Sequence, residues 1–358
     1  MTCRTGGVNL SDMGEEKENT LFPILTGPVG IARLAATGEA AGRSGGKEGM
    51  EVEFRTMAVR SVLNRVTSKR MNFFEWSINP YRGCEFGCRY CYARYTHEFL
   101  DRDDPEMFER EIYVKQHAAW LLRQELRQVR EGEEIALGTA TDPYQPVERR
   151  ALVTRSLLEV LAEQKGLRLG IVTKSTLIER DVDLLRRIAE RNTVRICLTI
   201  TTPDAELARV LEPRAPRPDL RFRTVERLRA AGLRTGILCS PLLPGITDTA
   251  AALDEMALRA KAARASFMGA QPLFLKPCSR PVFMAFIRRH FPELERAYET
   301  RYAAQAFVGR VYQERVRSLV RMVVQKHGLG GRFDDARRKS PGMAWPVQGE
   351  LWRDGQAS

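Results

Sequence analysis

Cys84, Cys88 and Cys91 lie inside the segment Asn79-Pro-Tyr-Arg-Gly-Cys-Glu-Phe-Gly-Cys-Arg-Tyr-Cys-Tyr92. Thiolates are soft ligands that select iron–sulfur clusters or zinc. Three of them within eight residues, punctuated by Gly83 and Gly87, can close around one metal centre from a single direction. A cubane cluster takes one protein ligand per iron, so three local cysteines with no fourth nearby leave one iron open to a substrate or cofactor. Two plainer chemistries use the same residues: a tetrahedral zinc site with His97 as fourth ligand, and a disulfide. The disulfide is disfavoured, because seven cysteines is an odd total and no secretory signal precedes them. Zinc sites more often pair CxxC with a distant second pair, so the iron–sulfur reading fits better.

The elements that must hold this loop are legible as alternation. Apolar strand-like runs fall at 74–78, 134–138, 168–173, 194–200, 235–240 and 269–275. Between them run helix faces with apolar residues three and four apart: Ala118, Leu121, Leu122, Leu126 and Val129; then Leu152, Leu157, Leu158 and Leu161; then Val182, Leu185, Ile188 and Ala189. Thr202-Pro203-Asp204 reads as an N-cap, a proline in the first turn and an acid, opening a further helix. Helices are expected over 221–231, closed by Gly232, and over 250–265. Strand and helix alternating at this spacing imply right-handed parallel crossovers. Six strands are fewer than the eight of a closed barrel, so the α/β core should be a partial (β/α)6 barrel over residues 75–277.

Outside that core, residues 1–50 read as a disordered leader, glycine-rich and poor in apolar runs. Residues 51–74 form a basic extension with Val59, Val62, Leu63 and Val66 at helix-like spacing, expected against the edge of the core. Residues 278–330 read as a helical appendage and 331–358 as a flexible tail.

Of 358 residues, 43% are hydrophobic and 28% charged, ordinary for a soluble globular protein. No stretch approaches the roughly 20 apolar residues of a membrane span, and no signal peptide is evident, so a cytoplasmic location without membrane partners is expected. The net charge of +12 suits a nucleic-acid partner. Solvated arginine-rich helices carry the same excess without one, and charge alone leaves the two readings level.

Loops after parallel strands carry the chemistry of such folds. Thr141 and Asp142, in Gly138-Thr-Ala-Thr-Asp-Pro-Tyr-Gln-Pro146, can bond an ammonium or carboxylate group, or merely line a proline-rich turn. Lys174 follows the third strand, where a point charge can hold a carboxylate or stand solvated. Thr199, Thr201 and Thr202 offer hydroxyls after the fourth. Pro241-Leu-Leu-Pro-Gly-Ile-Thr-Asp248 offers an apolar wall and a glycine turn after the fifth, or a plain strand-to-helix turn.

The spacing CxxxCxxC with Tyr90 before its last cysteine resembles the radical S-adenosylmethionine superfamily. The phrases Asn79-Pro-Tyr-Arg-Gly-Cys84, Thr141-Asp-Pro-Tyr-Gln-Pro146, Leu211-Glu-Pro-Arg-Ala-Pro216 and Leu243-Pro-Gly-Ile-Thr-Asp248 resemble relatives of the spore photoproduct lyases, over roughly residues 60–277. The resemblance implies a [4Fe–4S] cluster on Cys84, Cys88 and Cys91, S-adenosylmethionine on the open iron, reductive cleavage of that cofactor and hydrogen abstraction from a substrate. It also implies an external one-electron donor of flavodoxin or ferredoxin type, and a nucleic-acid substrate. By the same likeness Thr141, Lys174 and Thr199 contact the cofactor, Leu243 and Gly245 lie against its adenine, and Tyr90 and Tyr92 take catalytic places in a radical relay. One position departs: where the lyases carry a hydrogen-donating cysteine this chain has Thr139, whose O–H bond is too strong for that task. Cys239 and Cys197 are the remaining thiols on strands, and both read better as small core residues. Two other function classes use these residues: a nucleic-acid-binding protein with a structural metal, and a radical enzyme acting on a protein or small metabolite.

Overall fold

Six parallel strands form the core: β1 (Trp76–Ile78), β2 (Glu134–Leu137), β3 (Arg168–Thr173), β4 (Thr193–Thr199), β5 (Thr235–Leu242) and β6 (Met268–Pro272). The computed structural model describes residues 30–45, 51–67, 74–102 and 104–330. The strands pair in chain order, each parallel to the next. The run Arg168–Thr173 registers against Thr193–Leu198 without a break. Covered on both faces, these strands are apolar along most of their length, and Ile171, Ile196 and Ile237 are fully buried. Each such side chain contributes about 1.5–3 kcal/mol by leaving water.

The crossovers are α1 (Ala118–Glu125), α2 (Val153–Ala162), α3 (Val182–Arg191), α4 (Pro218–Ala230) and α5 (Ala250–Ala262). Each buries the stripe its spacing marks, such as Leu157, Leu158 and Leu161 on α2. A short helix, Ala205–Leu211, is inserted after β4. Its cap is Asp204, which accepts from the Glu206 and Leu207 amides, whereas Thr202 accepts from Asp204 N one turn earlier. The expected Thr202 cap and the proline at the first helical position are therefore displaced by two residues.

The sheet stays open. One edge is β6; the other is Leu63–Arg65, antiparallel to β1. The extension thus meets the core edge as expected, but as a strand. Val62 and Leu63 are both buried, and Leu63 pairs with Ile78 across the ladder. Glu51–Met57 is a strand too, paired with Ala40–Gly45 and Glu111–Lys115, and Tyr81–Arg82 completes a separate four-stranded sheet. Within the expected leader, Gly30–Ala36 forms a helix that buries Ala35 beside Met57. Residues 1–29 and 46–50 of that leader, and the tail from residue 331, lie outside the described residues.

After β6 come helices at Arg280–His290, Glu295–Tyr302 and Arg310–Lys326. Phe283, Met284, Phe286 and Tyr298 from this region share one apolar cluster with Cys84, Cys88, Tyr90 and Leu243. The first two of these helices therefore pack at the cysteine loop, while Arg310–Lys326 packs against α5 and β6, with Val316, Val323 and Val324 in the main core. Among the described residues no helix is long and apolar enough to cross a membrane.

Candidate active site

The cysteine loop leaves the C-terminal end of β1 and is fixed by its own glycines. Gly83 has φ +80°, and a Cβ there would sit 2.6 Å from the Glu111 carbonyl oxygen. Gly87 has φ +60°, and its Cβ would fall 2.9 Å from Arg214 Nη2. Only glycine meets both demands. Cys84 N donates to Phe108 O at 2.9 Å, and Arg89 N to Leu211 O at 3.0 Å. The buried Arg94 guanidinium donates to Cys88 O at 3.2 Å while ion-paired to Glu109.

Cys84 and Cys88 are buried, Cys91 is half-buried, and all three are free thiols. Burial raises each of their pKa values, that of Cys88 to about 12. Asp142 and the two neighbouring thiols push Cys84 further in the same direction. Three thiols that oppose one another's ionisation in a dry pocket become thiolates once a cation arrives to compensate them. Among the described residues, no three His, Cys, Asp or Glu side chains converge on a single ion. A cubane spreads its irons and needs no such tight cage, so the donor set fits a cluster. His97 belongs elsewhere. Its Nε2 lies 3.1 Å from Glu111 O and its ring packs edge-on to Phe108, which leaves the zinc reading without its fourth ligand.

The loop after β2 clamps this segment. Asn79 Oδ1 accepts from Thr139 N at 3.0 Å and Ala140 N at 2.8 Å, which joins the ends of β1 and β2. Thr141 Oγ1 donates to Gly83 O at 2.6 Å. Gln145 donates to Gly83 O and accepts from Glu85 N, at 3.2 and 2.9 Å, and Glu85 in turn accepts from Val147 N at 2.7 Å. Asp142 accepts from Thr173 Oγ1 at 2.6 Å and Lys174 N at 2.8 Å, tying this loop to the end of β3. Thr141 therefore bonds the cysteine loop directly, while Asp142 fixes the loop after β2 to the end of β3.

A second network surrounds Tyr90. Its buried hydroxyl donates to the Glu212 carboxylate and lies 3.1 Å from Thr201 Oγ1. Glu212 is ion-paired to Arg221 at 2.6 Å, and Arg221 donates to Thr199 O at 3.0 Å. Lys174 Nζ lies 5.5 Å from the centre of the Tyr90 ring. Burial opposes the charge on Glu212, but Arg221, Lys174 and Tyr90 outweigh it and its pKa falls. Burial likewise opposes the Lys174 charge, but its electrostatic coupling to Cys88 and Glu212 more than offsets this and raises its pKa. Burial and Glu212 keep the Tyr90 phenol protonated. Tyr92 donates to Thr139 O, and its ring lies 6.0 Å from that of Phe274.

Leu243, fully buried, joins the apolar cluster of Cys84 and Cys88. Gly245 stands apart, exposed at φ +80°, its N–H bonded to Asp248 at 2.7 Å. It lies on the rim of a cleft of about 730 Å³ between this turn and the C-terminal helices. Cys197 and Cys239 are core residues, 1% and 0% exposed. Asn79, Gln145, Glu212 and Arg221 are the site residues that the sequence did not single out. The first three lie inside phrases already noted; nothing in a sequence marks which main-chain atom a side chain will reach.

Comparison with known proteins completes the picture. The Radical SAM superfamily model matches residues 78–257, from the end of β1 into α5. An uncharacterized protein of Mycobacterium tuberculosis is 34% identical over 302 residues, covering 84% of this chain and 88% of that protein. An uncharacterized protein of Methanocaldococcus jannaschii is 27% identical over 174 residues, covering 49% of this chain and 62% of its own. A spore photoproduct lyase variant with bound AdoMet and dinucleoside spore photoproduct superposes with a TM-score of 0.57 at 15% identity, over 76% of this chain and 79% of the lyase chain. At that identity the likeness concerns the fold. The chain belongs to the radical SAM superfamily, and is an enzyme whose cofactors are a [4Fe–4S] cluster and S-adenosylmethionine.

Proposed function

We propose that Cys84, Cys88 and Cys91 hold the cluster, that S-adenosylmethionine binds at its open iron, and that the enzyme abstracts hydrogen from a nucleic-acid substrate. The observation that carries this reading is three free thiols, two buried and one half-buried, on one clamped loop after the first of six parallel strands. When bound, these cofactors supply a 5′-deoxyadenosyl radical, formed with an electron from an external donor of flavodoxin or ferredoxin type. The protein's share is placement and exclusion. Lys174, charged and close to Cys88, holds the cofactor carboxylate. Thr141 and Thr199 border the same mouth, and Leu243 supplies its apolar wall. Tyr90, its phenol bonded to Glu212, is set to pass a hydrogen atom or electron, with Tyr92 beside the Thr139 carbonyl as the second member of that relay. The C-terminal helices keep water from the loop.

The nucleic-acid reading rests on charge. The net charge is +12, and residues 278–330, whose first two helices pack at the cysteine loop, hold ten Lys and Arg against four Asp and Glu. Anaerobic reconstitution should give about four irons and four sulfides per chain, with an electron paramagnetic resonance signal that shifts on adding S-adenosylmethionine. Stoichiometric zinc and no cofactor cleavage would overturn the cluster assignment. Binding to oligonucleotides at low salt, lost steeply as salt rises, tests the substrate class; no binding at low salt would exclude it.

A further inference from the structure

Arg214 lies in Leu211-Glu-Pro-Arg-Ala-Pro216, at the end of the short helix after β4. Its Nε, Nη1 and Nη2 are all inaccessible to solvent, and none has a hydrogen-bond partner. A guanidinium carries five N–H donors and a permanent charge. Burying it unpaired costs several kcal/mol unless an opposite charge compensates it.

The nearby carboxylates Glu109 and Glu85 act on that charge through space but do not bond it. Glu109 has both oxygens on Arg94, and Glu85 accepts from Val147 N; neither forms an ion pair with Arg214. The guanidinium instead presses on the cysteine loop. Nη2 is 2.9 Å from where a side chain on Gly87 would begin, and Arg214 N donates to Phe86 O at 3.4 Å. Gly87 and Phe86 lie between Cys84 and Cys88. With none of its three nitrogens hydrogen-bonded, the guanidinium stands beside the Cys84–Cys88 turn with its donors free for the negative charge that a bound cluster brings to that turn.

We infer that Arg214 is a positioning residue for the metal centre, its buried cation offsetting the negative charge of the Cys84–Cys88 turn and raising the reduction potential of the centre. The inference rests on the assignment of the cluster to these cysteines. Reduction adds a further negative charge to the site, so a fixed cation stabilises the reduced state more than the oxidised one. Net charge and solvent exposure are among the levers that set such potentials.

The test is a redox titration of anaerobically reconstituted protein, with iron and sulfide counted in parallel. In Arg214→Gln, with iron and sulfide unchanged, the oxidised-to-reduced ratio at a fixed poise should rise about tenfold, equivalent to about 59 mV for a one-electron couple. Arg214→Lys, which keeps the charge, should stay close to the parent protein. Should the Gln variant lose iron while the Lys variant keeps it, the need for charge is supported in a stronger form. An unchanged potential in a fully loaded Gln variant overturns the inference, as does equal loss of iron from both variants. The underlying assignment fails separately, if Cys84→Ala retains a full cluster.

Discussion

Tyr90 and Glu212, 122 positions apart in the chain, share a hydrogen bond at the centre of the site, and Arg221 closes on the same carboxylate from its other oxygen. This links the cysteine loop to the segment after β4 through a phenol, a carboxylate and a guanidinium, all nearly inaccessible to water. Breaking such a buried pair by removing one partner leaves the other uncompensated, which costs about 3–5 kcal/mol.

Glu212→Gln should therefore destabilise the protein by about that amount near neutral pH, read from chemical denaturation. The folded state lowers the pKa of Glu212 beneath its usual 4.5. The stability this group contributes is thus full above pH 4.5 and lost as pH falls below it, and the variant should lack that acid-side decline. Equal stability of the two proteins at pH 7 would contradict the role given to the pair.

Replacing any one of Cys84, Cys88 or Cys91 by Ala should abolish formation of 5′-deoxyadenosine. Product analysis by chromatography decides the matter, and turnover retained in all three variants would sink the ligand assignment.

Lys174→Ala should weaken binding of S-adenosylmethionine while iron content stays constant, because the lysine touches no cysteine through a hydrogen bond and acts by its charge. Equilibrium binding to reconstituted protein reads this directly; an unchanged dissociation constant counts against the lysine as a carboxylate partner.

Gln145→Leu keeps the side-chain bulk but removes bonds to Gly83 O, Glu85 N and Thr141 Oγ1. Thr141 still donates to Gly83 O, but Glu85 N loses its acceptor, which should cost about 1–3 kcal/mol, and the loosened loop should load less iron. Full iron loading with unchanged stability would show that the clamp is dispensable.

The barrel was legible because both faces of each strand are covered. Residues 168–173 and 193–199 carry short apolar stretches, Leu169 to Val172 and Ile196 to Leu198, and their boundaries on the sequence and in the fold agree within a residue. The four-stranded sheet was not legible. Glu51–Met57 alternates Val52 and Phe54 with Glu53 and Arg55, but the spacing of Val59, Val62, Leu63 and Val66 just beyond it mimics a helix. The cysteines announced themselves by type and spacing. Their clamps did not, since Gln145 reaches main-chain atoms about 60 positions away, and a carbonyl oxygen has no residue identity to read.

Ser279 donates to Cys91 O at 2.7 Å, and the apolar cluster around Cys84 is completed by residues as late as Val308 and Tyr312. Ser279 follows Cys91 by 188 positions, so the shelter of the cysteine loop is built from sequence far downstream of the cysteines themselves, and the loop closes only in a chain folded through that region.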